Sequence, residues 1–116
     1  MYQKSKAFRN AKYRSWIRQQ PCTVMGMDFT ETDMVAHHVR MGCTGGMGLK
    51  PSDYRTIPLT AYEHFKLHQG VEKEYYDKAD LDVDMVMKEL LEKYLRDEKG
   101  IVINDDHTFD QMELLV

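Results

Sequence analysis

Only two cysteines, Cys22 and Cys43, occur in the 116 residues, too few for a multi-disulfide framework or a four-cysteine zinc knuckle. Reduced thiols are therefore expected. No run of roughly 18 apolar residues is present and nothing resembles a signal peptide, so neither membrane insertion nor secretion is expected and the compartment is read as cytoplasmic. Internal repeats are also missing. The glycines of the 42–48 stretch are not followed by the Gly-Lys-Ser/Thr order of a phosphate loop, which excludes a P-loop nucleotide site. One small domain is expected, short enough that a bound metal or partner would add useful stability.

Charge is unevenly distributed behind a net value of −3. Residues 1–27 carry Lys4, Lys6, Arg9, Lys12, Arg14 and Arg18 with no acid, whereas residues 71–116 hold 14 acids against 6 bases. A basic arm of this kind suits a phosphate backbone, with Arg14 and Arg18 as candidate contacts; a solvated helix face is the plainer reading.

Histidines carry the chemistry. Four of the five fall into two pairs, His37-His38 and His64-x3-His68. Residues four apart share one helix face, so His64 and His68 can grip one ion, and neutral imidazole is a common metal ligand. Adjacent residues on a strand point to opposite faces, so His37 and His38 should not share one task. One can supply a third metal bond, for which His37 is available, and the other can handle a proton, since imidazole titrates near pH ~6.5. Three histidines with open positions suit zinc; nickel, cobalt and manganese are also compatible, and magnesium, which prefers oxygen ligands, is the least natural fit.

Along the chain, Lys4 to Gln20 reads as a helix anchored by Phe8, Tyr13 and Trp16 and stopped by Pro21. Cys22–Met25 and Met34–His38 read as two strands of a hairpin, and the glycine-rich stretch after Arg40 as an irregular loop reaching Ser52. Thr56–Leu59 is a short extended segment. Thr60 and Glu63 have the spacing of a capping box, opening a helix that runs to about Gln69, with Gly70 as a left-handed stop. Further helices are expected over Glu72–Lys78 and Leu81–Lys99. The second carries an apolar stripe of Val83, Val86, Met87, Leu90, Leu91, Tyr94 and Leu95, read as core or as an oligomer contact. Gly100 ends it, Ile101–Ile103 reads as a small strand, and residues 104–116 as an acidic tail.

In this order, Ala36-His37-His38, a glycine-rich loop, Lys50-Pro51-Ser52-Asp53, Pro58-Leu59-Thr60 and the helix of His64 and His68 resemble the ββα-metal core of HNH (His-Me finger) endonucleases, most of all the small phage and prophage members of the YbcO and Ref kind. The likeness covers roughly residues 20–70. It implies an α+β fold with a basic N-terminal helix (1–20), a ββα-metal core (21–70), a C-terminal helical part of the same domain (71–103) and the tail (104–116). It also implies that His37, His64 and His68 bind one divalent ion, zinc first, and that His38 is the general base of phosphodiester hydrolysis leaving 5′-phosphate and 3′-hydroxyl ends. Where the family places an asparagine that orients the base, this chain has Arg55, and Asp53 is assigned that role. Thr60 and Met25 stand where relatives have the cysteines of a peripheral zinc knuckle, so that knuckle is expected to be lost. Arg40, Lys50 and Arg55 are the candidate phosphate clamps. The implied function is a metal-dependent DNA endonuclease acting on double- or single-stranded DNA in phage recombination, replication or packaging, in the host cytoplasm. A homodimer or a phage recombination or replication protein is the implied partner. Two other readings stand beside it: a non-catalytic nucleic-acid-binding module stapled by zinc, and an interaction subunit of a recombination complex.

Overall fold

A computed structural model of the chain describes residues 8–26, 33–40, 51–104 and 107–116. These form a mixed α+β fold in the order α1 (Ala11–Arg18), β1 (Met34–His38), β2 (Thr56–Thr60), α2 (Ala61–Leu67), α3 (Glu72–Lys78), α4 (Val83–Lys99) and α5 (Phe109–Glu113). Lys50, Cys43, the glycine-rich stretch and the expected start of the first helix before Phe8 lie outside the described residues.

Helix α1 begins at Ala11, later than the expected helix from Lys4, because Phe8–Asn10 are non-helical and Asn10 caps it, its side-chain oxygen accepting from the Tyr13 amide at 3.0 Å; the helix turns off at Gln19 ahead of Pro21. Its Tyr13 and Ile17, one turn apart, are fully buried. They pack with Tyr54, Leu91, Tyr94, Leu95 and Met112 in one apolar cluster, where Tyr13 meets Tyr94 and Tyr54 edge-on at 4.8 and 5.0 Å.

Strands β1 and β2 pair antiparallel, His37 opposite Ile57 and His38 opposite Thr56. This corrects the expected hairpin of Cys22–Met25 with Met34–His38. Residues 23–25 instead form a turn closed by the Gly26 amide on the Cys22 carbonyl (2.8 Å), and the Thr23 amide and hydroxyl both donate to the Pro58 carbonyl. The extended segment expected at Thr56–Leu59 is this second strand, and it contains Pro58. In a sheet of two strands each is an edge, so a residue without an N–H is tolerated there. All five residues of β2 are buried.

Helix α2 starts directly from β2. Thr60 accepts from the Glu63 amide at 3.1 Å, as expected, but the Glu63 carboxylate does not return to the cap; it takes the Tyr75 hydroxyl (2.6 Å) and Lys66 (3.4 Å). Gly70 has no left-handed conformation, a second correction: the helix ends with His68 in ordinary right-handed geometry. Helix α3 keeps its expected bounds. Helix α4 is capped by Asp82 and ends at Gly100, which does adopt the left-handed conformation (φ 68°).

The α4 stripe is core. Val83 and Met87 join Cys22, Val39, Ile57, Leu59, Leu67 and Tyr76 in a cluster beneath the sheet and α2, while Leu91, Tyr94 and Leu95 belong to the cluster around Tyr13. Ile101–Ile103 forms no strand; Ile101 and Ile103 pack against that second cluster. Nor are residues 107–116 a solvated tail, because Thr108 caps α5 with a full capping box and Met112 is completely buried. Among the described residues no helix is long and apolar enough to cross a membrane.

Candidate metal centre

The alternation of β1 sends its two histidines to different neighbours. His37, 5 % exposed, meets the α2 pair: its ring centroid lies 5.1 Å from that of His64 and 5.7 Å from that of His68. One nitrogen from each of the three lies within 4.8 Å of the other two, and the Nε2 atoms of His64 and His68 are 3.0 Å apart. These three histidines could hold a metal ion. His64 is half-buried and His68 exposed, so one side of the cluster faces solvent.

The donor set suits a borderline ion. Among the described residues it consists of three imidazoles with no carboxylate in the same cluster, the pattern that favours zinc, nickel or copper over magnesium or calcium. Burial, and then the nearby His37 and His68 rings, push the His64 pKa below its ordinary value. The ring is thus kept in the neutral form a ligand needs.

His37 has a further partner, which sequence reasoning missed. Its Nε2 lies 3.1 Å from Glu72 Oε2, the same oxygen that accepts the Tyr76 hydroxyl and the Arg40 amide (3.3 Å). Burial raises the pKa of Glu72, but the hydrogen bonds from His37 and Tyr76 outweigh it and hold the carboxyl below the usual range. Glu72 opens α3 and sits 35 residues from His37. The only local sign was a carboxylate one helical turn before a tyrosine.

On the other side, His38 Nε2 lies 2.8 Å from Oδ1 of Asp53, which is fully buried. Its other oxygen, Oδ2, accepts the Asn10 amide at 2.6 Å; Arg14 and Arg9 each approach the carboxylate at 3.6 Å. Burial alone would raise the Asp53 pKa. The hydrogen bonds from His38 and Asn10 and the charge of Arg14 bring it below the ordinary value, so the group is an anion facing His38.

The structure therefore brings together His37, His64 and His68 as one cluster and His38 with Asp53 as another, joined through the strand. The basic residues fare differently. Arg14 is turned inward to Asp53 and is 31 % exposed, so it is a clamp on the carboxylate more than a surface contact. Arg55 lays its guanidinium over the Phe109 ring of the C-terminal segment at 5.9 Å. Arg18 and Arg40 are exposed, and Arg40 lies two residues beyond His38. Arg9, a second side chain on Asp53, also donates to the Pro51 carbonyl at 2.8 Å and was not singled out from the sequence.

Comparison with known proteins adds a family. A model described as "Protein of unknown function (DUF968)" matches residues 2–96. The chain is also similar to the uncharacterized protein YdfU of Escherichia coli strain K12, with 37% identity over 57 residues; that stretch is 49% of this chain and 15% of the relative's length. No solved structure matches significantly.

Proposed function

The chain belongs to the DUF968 family, and from the geometry of its two histidine clusters we propose that it is a metal-dependent endonuclease with an HNH-type, ββα-metal core. One observation carries the reading: β1 and α2 converge three imidazole nitrogens while the next residue of the same strand, His38, is held by a buried carboxylate. A metal site that only stapled the fold would not need the second arrangement.

A divalent ion held by His37, His64 and His68, zinc first on the donor set, would supply a Lewis acid for charge developing on a scissile phosphate. The protein's own part is proton handling and placement. With Nε2–H donated to Asp53, the neutral His38 ring carries its lone pair on Nδ1, the atom that takes the proton from an attacking water. The water oxygen bonds to phosphorus, the bond from phosphorus to the 3′ oxygen breaks, and that oxygen is protonated from solvent, leaving 5′-phosphate and 3′-hydroxyl ends. Of the described candidate phosphate contacts, Arg40 and Arg18 are exposed and would meet the phosphate backbone. DNA is the proposed substrate. A role in recombination, replication or packaging of phage DNA, and pairing into a dimer, rest on the likeness to small phage nucleases.

The test is nicking of supercoiled plasmid by purified protein in zinc, nickel, manganese and magnesium in turn, with His38→Ala alongside. Metal-dependent cutting that falls by about 10²–10⁴-fold in the variant, at unchanged zinc content, is expected for a general base. Wild type and variant that are equally inert, yet hold zinc and retain DNA, would replace this reading with the zinc-stapled binding module.

A further inference from the structure

The carboxylate of Glu72 stands directly behind His37. Its Oε2 collects three donors: His37 Nε2 at 3.1 Å, the Arg40 amide at 3.3 Å and the hydroxyl of Tyr76. Tyr76 lies one turn further along α3 and is 1 % exposed, so the hydroxyl that holds Glu72 is itself fixed by the core. An oxygen with three donors, one of them the backbone amide of Arg40 two residues past β1, has little freedom to turn elsewhere. Among the described residues no carboxylate belongs to the cluster of nitrogens within 4.8 Å, so Glu72 is not a fourth member of it.

The ionised carboxylate only accepts hydrogen bonds, so the proton between Glu72 and His37 resides on Nε2 and the ring's lone pair is on Nδ1. His64 and His68, by contrast, approach each other through Nε2. From this geometry we propose that Glu72, backed by Tyr76, is the positioning residue of the site. It fixes the tautomer and tilt of His37 so that the ion is held by one Nδ1 and two Nε2 atoms. This rests on the metal-site reading of the three histidines. A carboxylate behind a ligand histidine raises the basicity of the ring and limits its rotation, and loss of such a partner typically weakens metal binding by about 10–100-fold.

Two measurements test it, neither of which uses nuclease activity. The first is a long-range proton–nitrogen correlation spectrum of the zinc-loaded, nitrogen-15-labelled wild type. It should show His37 protonated at Nε2 and ligated at Nδ1, with His64 and His68 ligated at Nε2; a His37 ligated through Nε2 overturns the inference. The second is zinc affinity by chelator competition. Glu72→Ala should bind about 10–100-fold more weakly. Glu72→Gln should fall between, because its amide oxygen still accepts from the ring without the charge, and Tyr76→Phe should weaken binding less than Glu72→Ala. Glu72→Ala with wild-type affinity also overturns it. The spectrum is recorded on the wild type, so a variant that folds poorly does not remove the test. Failure of the parent reading looks different: wild type then takes up no stoichiometric zinc, and both fall together.

Discussion

From neighbouring positions on β1, His37 turns to Glu72 and the helix pair, and His38 turns to Asp53. That division is local geometry, and it was legible, since one strand residue separates opposite faces. His64 and His68 were legible for the same reason, through the one-turn repeat of a helix. What Asp53 does was only half legible. Its contact with His38 was expected, but its amide hydrogen bond from Asn10 and its pairing with Arg9 and Arg14 arise from how α1 crosses the sheet, 39 to 44 residues away in sequence. These contacts make Asp53 an acid-sensitive point. Its folded pKa is lowered, so the stability it contributes is present above the ordinary carboxylate value of about 3.9 and is lost as pH falls through the folded value. Asp53→Asn should therefore flatten the acid limb of a stability-versus-pH curve measured by urea unfolding. At neutral pH it should cost about 2 kcal/mol, less than the full effect of breaking a buried pair, because Arg9 and Arg14 retain water. On the proposed function its nicking rate should fall while zinc content stays unchanged, since Asp53 pairs with His38 and not with the three clustered histidines. An unaltered acid limb would show that another carboxylate governs the acid transition.

Helix α2 has seven residues, well short of the roughly 12 at which an isolated helix becomes even marginally stable in water. The Thr60 cap and the buried Glu63 and Leu67 hold one side of it. Among the described residues the histidine side has no such buried anchor: His64 meets His37 and His68 through their rings and the Nε2 of His68 at 3.0 Å, and His68 is exposed. A bound ion would tie that side to β1, so metal and helix should stabilise each other. Free zinc at about 1,000 times its dissociation constant would then add about 4 kcal/mol, which for a domain of this size is roughly 10–20 °C in Tm. Scanning calorimetry with and without zinc should show that rise in the wild type and not in His64→Ala or His68→Ala. A rise of equal size in both variants would mean that the ion binds elsewhere. Element by element, legibility followed the range of the signal. The bounds of α3, the Asp82 and Thr60 caps and the Gly100 stop are written within a few residues and were or could be read there. The pairing of β1 with β2 depends on a contact across some twenty residues and on a strand containing Pro58, so propensity pointed to the nearer segment, Cys22–Met25, instead.

At the scale of the whole molecule, α4 joins two apolar clusters with different duties. The one holding Leu67, Ile57 and Tyr76 lies under the three clustered histidines, for these residues belong to α2, β2 and α3. The other holds Tyr13 and Ile17 of α1, Tyr54 next to Asp53, and Met112 of α5, and so supports the Asp53 side. The uneven charge of the chain is partly consumed in this arrangement: Arg9 and Arg14 from the basic end face Asp53, while the acidic end folds back by burying Met112. Charge counting therefore anticipated neither the fold of residues 107–116 nor the inward turn of Arg14, both of which follow from which apolar side chains must be covered. Met112→Ala removes a fully buried side chain from the second cluster and should cost about 2–4 kcal/mol in urea unfolding. Because that cluster includes α1 and Tyr54 but none of His37, His64 and His68, the variant should, on the proposed function, lose nicking activity by weakening the hold of Asp53 on His38, with zinc affinity changed less than twofold. Equal losses in stability and in zinc affinity would mean that α4 couples the two clusters into a single cooperative core, and that the metal site depends on the folding-back of the C-terminal segment.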